Sequence, residues 1–389
     1  MGKDNKDSNP EMDSCNILEN KDENITHYKG FGARKILLDL PIEGFGFSYV
    51  AIEKDKLKIL TERVDCFEED LLPLPGRVVD RLQFLKTETE NDDPLFVGFL
   101  FLICKSIGRQ LNTFLVVSVR LINGNKWKLE FTCMVPTVCS KIAHVFCDQW
   151  QIPEKIMLMR PDKTSFDVLS TDGDELGTFD FETECLPDRC ISVEKTFFMA
   201  SRSGFSQWSL DRSEVKIIKD LPVKVDFDKA FAQKCRSSPQ APDDQSFYTG
   251  ESVYFLYNGE SVEVEDAKDI VGYNFAITEK GLFFMDGWPD DELKLKRVTQ
   301  KKLKPLLFDW VERHETPFRA FFVDEDTNEL IVFSESDNLE ITKISDIRGK
   351  ILDVSVNFKH DTFKVYTMEE AIEVSDFESL PKRNVEFIP

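Results

Sequence analysis

Residues 114–131 read FLVVSVRLINGNKWKLEF. Val116, Val117 and Val119 are β-branched, and such side chains crowd a helix but pack well on a pleated strand. Asn123-Gly124 accepts the positive φ values that a tight hairpin turn demands. Beyond it, Trp127, Leu129 and Phe131 alternate with Lys128 and Glu130, the period-two pattern of a half-buried strand. The stretch therefore predicts two antiparallel strands joined by a short turn. The same grammar recurs on either side of it. Apolar pairs flank polar turns at 48–60, 166–181, 205–218, 253–264, 282–298, 330–344 and 363–374. With the pair at 114 these begin at residues 48, 114, 166, 205, 253, 282, 330 and 363, at a mean spacing of about 45 residues.

A repeat of that length accommodates a four-stranded sheet, and over roughly residues 34–380 the series resembles a β-propeller. The resemblance is architectural. No Trp-Asp dipeptide closes a repeat, no paired glycines mark a kelch unit, and Asp309-Trp310 runs in the reverse order. No family's functional residues carry over. The resemblance implies a disc with a central channel whose loops and faces bind partners. Because the spacings from 253 to 282 and from 330 to 363 look too short for four strands each, some pairs are expected to share a blade, giving six or seven blades. A pair of β-sandwiches or an irregular α+β fold is the alternative. Residues 1–30, rich in Asp, Asn, Glu and Lys, read as a disordered acidic tail. Residues 34–380 read as a single propeller-like domain, and 381–389 as a C-terminal tail or closing strand.

Two segments read as connecting helices. In 137–150, Val138, Ile142, Val145 and Gln149 recur at helical spacing, and 305–314 opens on a proline suited to a first helical turn.

Of the 389 residues, 41% are hydrophobic and 33 are Phe, enough for a large core. Lys and Arg number 49 against 71 Asp and Glu, a net charge of −22, which argues against a general binder of nucleic acid or anionic membranes. No apolar run reaches the ~18 residues of a membrane-spanning helix, and 1–14 lacks the apolar stretch of a secretory signal. Nine cysteines, an odd number, read as reduced thiols in a cytoplasmic or nuclear protein.

Chemistry-bearing motifs are sparse. Cys133, Cys139, His144 and Cys147 form the one dense cluster of soft ligands, but without a Cys-x-x-Cys anchor they read as buried thiols. Asp324, Asp326, Asn328 and Glu335 have calcium-loop spacing, yet Glu329 replaces the required glycine and the flanks read as strands. An acidic hairpin is the expectation there. The local charge reverses at Lys294, Lys296, Arg297, Lys301, Lys302 and Lys304, while 320–342 carries seven acids and no Lys or Arg. A strand at 294–298 would place Lys294, Lys296 and Val298 on one face and Leu295 and Arg297 on the other.

The reading is a non-enzymatic intracellular scaffold whose partners are other proteins, with the six basic residues at 294–304 as the candidate partner-binding spot. No cofactor, metal or small-molecule ligand is inferred, and neither a membrane nor, in general, nucleic acid is an expected partner. The alternatives are a propeller-type hydrolase or sugar-active enzyme with channel carboxylates, and an RNA-associated protein using the basic spot.

Overall fold

A computed structural model describes residues 17–18, 25–29, 35–40, 46–53, 55–63, 67–90, 93–106, 108–122, 126–148, 152–187, 191–192, 196–201, 204–209, 215–219, 226, 231–232, 245–257, 260–272, 274–286, 294–310, 318–335, 338–357 and 362–388. These residues form eight sheets of four or five strands. In chain order the sheets span 35–73 (sheet 1), 77–137 (sheet 2), 141–180 (sheet 3), 185–219 (sheet 4), 231–264 (sheet 5), 267–299 (sheet 6), 303–344 (sheet 7) and 351–374 (sheet 8). Within each, successive strands are antiparallel neighbours.

The first strands of sheets 1, 2 and 3 touch in turn, as do those of sheets 6, 7 and 8, and the first strand of sheet 8 returns to that of sheet 1. These strands make up the inner wall of a ring, and the architecture is a β-propeller. Buried clusters bridge neighbouring sheets. Leu100 and Trp127 of sheet 2 pack with Val50 and Ile59 of sheet 1. Phe275 and Phe284 of sheet 6 pack with Phe318, Phe322 and Phe333 of sheet 7. Tyr49 and Ala51 of sheet 1 pack with Tyr366 and Ala371 of sheet 8, closing the circle. Such burial, at ~25 cal/mol per Å² of apolar area, is what holds the sheets to one another.

The eight hairpins read from the sequence fall one to a sheet, so none shares a blade. The expectation of six or seven blades undercounts the sheets. Four strands fit into 267–299 because they are only 5, 4, 6 and 6 residues long and are joined by turns as tight as Glu279-Lys280.

Both expected helices are strands. Lys141–Cys147 is the first strand of sheet 3, and Leu303–Trp310 that of sheet 7; residues 311–314 lie outside those described. A bulge explains the misreading. Register slips between Ile142 and His144, so Ile142 and Val145 face the same cluster although three apart. Ala143 and Phe146 face the next one. A strand buried on both faces and broken by a bulge imitates helical spacing. Similar slips occur near the start of the first strand in sheets 1, 2, 6, 7 and 8. Pro305 sits beside the slip in sheet 7, a position a proline tolerates within a sheet.

Both ends of the chain enter the sheets. Ile25–Lys29, within the segment read as a tail, pairs antiparallel with Glu370–Val374 and completes sheet 8, and Ile17–Leu18 pairs with it in turn. At the other end Arg383–Asn384 adds to the outer edge of sheet 7. The remaining residues of 1–30 lie outside those described. Among the described residues, no helix is long and apolar enough to cross a membrane.

Candidate functional site

The six basic residues divide between the rim of the ring and one of its faces. Lys294–Thr299 is the outer strand of sheet 6, residues 300–302 lead inward, and Lys304 lies on the inner strand of sheet 7. Five residue steps separate Lys294 from Thr299, about 17 Å at strand rise, so the six do not form one patch.

The alternation expected on the rim strand is present. Val298 packs between sheets 6 and 7, while Leu295 faces sheet 5. Lys296 shares Val298's side, where its ammonium lies 4.6 Å from the centre of the Phe387 ring and pairs with the Asp286 carboxylate. Arg297 is half-buried, and its carbonyl accepts the Ile388 amide at 2.8 Å. Lys294 is exposed.

Lys301 is also engaged, by the acidic stretch itself. Its ammonium pairs with Asp324, whose side chain is fully buried. Burial alone would raise the Asp324 pKa, but the Lys301 ammonium and the Asp326 backbone amide hold it below the ordinary carboxylate value. The same pair lifts the Lys301 pKa above its usual value. Asp324 ends one strand, Leu330 begins the next, and the intervening turn is the acidic hairpin the sequence predicts. With one Asp324 carboxylate oxygen on Lys301 and the other accepting the Asp326 amide at 3.1 Å, calcium-loop spacing here serves a salt-bridged turn. Among the described residues no group of three His, Cys, Asp or Glu is placed to hold a metal ion.

Lys302 and Lys304 remain as exposed cations. They stand where main-chain hydrogen bonds tie the turns to the connections between sheets. The Glu325 amide donates to the Lys302 carbonyl at 3.4 Å, Asp226 to Thr249 at 2.8 Å, Ala267 to Glu251 at 2.8 Å and Met368 to Lys350 at 3.2 Å. Leu74 donates likewise to Asp55, and Cys185 to Lys163. In each case a turn between the second and third strands of a sheet bonds to a connection entering or leaving it. Those bonds tie each of these turns to the connection beside it, and together they make up a bonded layer of turns on this face.

The soft-ligand cluster does not converge. Cys133, Cys139 and Cys147 are buried between sheets 2 and 3, whereas His144, on the opposite side of its strand, stacks 4.3 Å from Phe146. Cys139 donates to Asp167 at 3.2 Å, and Asp167 also accepts from Arg160 at 2.7 Å and from Thr178 at 3.0 Å. Burial pushes the Cys139 thiol up to about 12, which suits its role as a packed hydrogen-bond donor to Asp167. Cys185 is a free buried thiol; Cys190, its nearest neighbour in sequence, lies outside the described residues.

No family model matches the chain, and no curated protein matches it at a significant level. Solved structures do. BamB from Moraxella catarrhalis is 8% identical, with 89% of this chain and 95% of that one covered and a TM-score of 0.48. The Cps50 (Swd1) β-propeller domain from Myceliophteria thermophila is 11% identical over 77% and 96%, with a TM-score of 0.37. A catalytically inactive virginiamycin B lyase from Staphylococcus aureus is 9% identical over 75% and 99%, with a TM-score of 0.38. The assignment of the fold rests on the sheet order described above.

Sequence reasoning missed the contribution of the chain's ends. Phe387 and Ile388 reach Lys296 and Arg297 of the basic strand from 91 residues downstream. Their signal in the sequence is the short alternation of Val385 and Phe387 with Glu386.

Proposed function

We propose that the protein is a non-enzymatic intracellular scaffold that binds other proteins through the face carrying Lys302 and Lys304. The observation that carries this reading is the bonded layer of turns. It sets the acidic turn at 325–329 beside exposed Lys302 on its connection and exposed Lys304 on the inner strand of sheet 7, so a partner meets a surface that needs little ordering. Charges of both signs side by side select a partner with the complementary arrangement and add to encounter rate more than to affinity. The buried thiols of Cys104, Cys133, Cys139 and Cys185, none of them in a disulfide, accord with a reducing, cytoplasmic or nuclear setting.

The test is capture of the tagged protein from its own cells, at low and high salt, beside the Lys302→Glu/Lys304→Glu variant. Stoichiometric partners that the double reversal releases support the proposal. A monomeric protein with no partner at either salt, or a partner set indifferent to the reversal, refutes it.

A further inference from the structure

The C-terminal segment lies along the rim of sheets 6 and 7. Arg383 and Asn384 pair antiparallel with Ile341 and Glu340 on the outer edge of sheet 7. The Val385 amide donates to the Leu339 carbonyl at 2.9 Å. Three residues on, the Ile388 amide reaches the Arg297 carbonyl of sheet 6 at 2.8 Å. Side chains alternate from Asn384 to Phe387. Val385 and Phe387 pack against the cluster shared by the two sheets, while Asn384 and Glu386 point to solvent. Lys296 lies over Phe387, and its partner Asp286 holds it there.

The hold on the segment is uneven. Upstream, Phe377 is fully buried beneath the Arg319 guanidinium, 4.4 Å away, and Arg319 pairs at 3.1 Å with Glu378. From Pro381 onward no described residue is buried. The distal part is thus a loosely seated strand on a firmly anchored tether. Such a tether supplies a local concentration in the millimolar range, so weak contacts suffice to keep the site filled.

We propose that the outer edges of sheets 6 and 7 form a binding site for an extended peptide, filled in this chain by residues 383–388. The partner is a separate protein presenting an extended segment with the pattern apolar, any residue, aromatic. It adds as a strand to 339–341, seats its aromatic ring under Lys296, and displaces the chain's own segment. Main-chain bonds would supply affinity and the two side-chain seats specificity. This deepens the scaffold reading and rests on it, but at a rim site distinct from Lys302 and Lys304.

The probe is a fluorescein-labelled peptide, PKRNVEFI, corresponding to residues 381–388. It is titrated by anisotropy against the intact chain and against full-length Val385→Asp/Phe387→Asp, which frees the site. Binding to the variant at least tenfold tighter than to the intact chain, and lost when the peptide's own Phe is replaced by Asp, is the expected result. No binding to the folded variant, or equal binding to both proteins, overturns the proposal. Should the variant lack a cooperative melt, hydrogen exchange on the intact chain decides. Excess peptide must then strip protection from the Val385 and Ile388 amides, and unchanged protection overturns the proposal. A dimer of the intact chain in light scattering, abolished by Phe387→Asp, would assign the site to a second copy and overturn the separate partner. The peptide assay needs no cellular partner, so its failure is distinguishable from failure of the scaffold reading.

Discussion

Replacing Phe275 by alanine tests whether the ring is held together by aromatic packing between sheets. Phe275 belongs to sheet 6 and is fully buried. Its ring lies 5.1 Å from that of Phe284 in its own sheet and 5.7 Å from those of Phe318, Phe322 and Phe333 in sheet 7. Phe-to-Ala changes in cores cost about 3–5 kcal/mol, the sum of lost transfer energy and the cavity left behind. Here the walls of that cavity belong to two different sheets whose strands are fixed by their own ladders, so it cannot collapse. Tilted and edge-on ring pairs add ~0.5–1.5 kcal/mol beyond area. The loss expected for Phe275→Ala is therefore about 4 kcal/mol. Phe275→Leu keeps most of the volume and loses the ring contacts, and should cost about 1–1.5 kcal/mol. The assay is equilibrium unfolding in guanidinium chloride, followed by tryptophan fluorescence and circular dichroism, with coincidence of the two probes as the check on two-state behaviour. An alanine variant within about 1 kcal/mol of the wild type, or no worse than the leucine variant, would refute the view that the Phe275 cluster joins these sheets.

Glycine substitutions separate backbone strain from crowding. Gly281 has φ +125°, and a side chain there would collide with the Thr299 carbonyl, so Gly281→Ala should cost about 3 kcal/mol, the top of the range for strained backbone. Gly108, at φ +81° but with open space around it, should cost only about 1 kcal/mol, and thermal melts of the two variants check the order. Asp324 predicts a pH dependence. Its folded pKa is depressed, so its contribution is present above the unfolded value of about 3.9 and is lost as pH falls through the folded value. The stability gap between wild type and Asp324→Asn, measured by urea unfolding, should be constant near neutrality and narrow below about pH 4.

Outer strands such as Lys126–Thr137 were legible, because one side is polar and the alternation survives. Their neighbours Asn112–Ile122 and Leu330–Glu335, buried on both faces over most of their length, were legible through the turn residues beside them, the Asn123-Gly124 pair and the acidic run after Asp324. The inner strands were not. In Lys141–Cys147 every residue after Lys141 is buried, and the bulge after Ile142 sets Ile142 and Val145 on one side at helical spacing. Pro305 misled for a related reason: a proline that opens a helix also fits beside a bulge. The basic spot was visible as a composition, but its division between rim and face was not. Lys301 finds Asp324 across a turn between sheets, and Lys296 finds a ring contributed by the far end of the chain. Pairing of that range leaves no local pattern.

Sheet 8 is assembled from Ile25–Lys29 and from strands that end at Val374. On a ribosome the early strand emerges first and then waits, its ladder partner still untranslated, while the intervening sheets can stack as they appear. Closure comes only once Glu370–Val374 has cleared the exit tunnel. Premature stop codons anywhere before that strand would release an open arc with two raw edges, the kind of product that chaperones retain and proteases clear. The ring thus certifies its own completion: a chain that closes has been translated through residue 374.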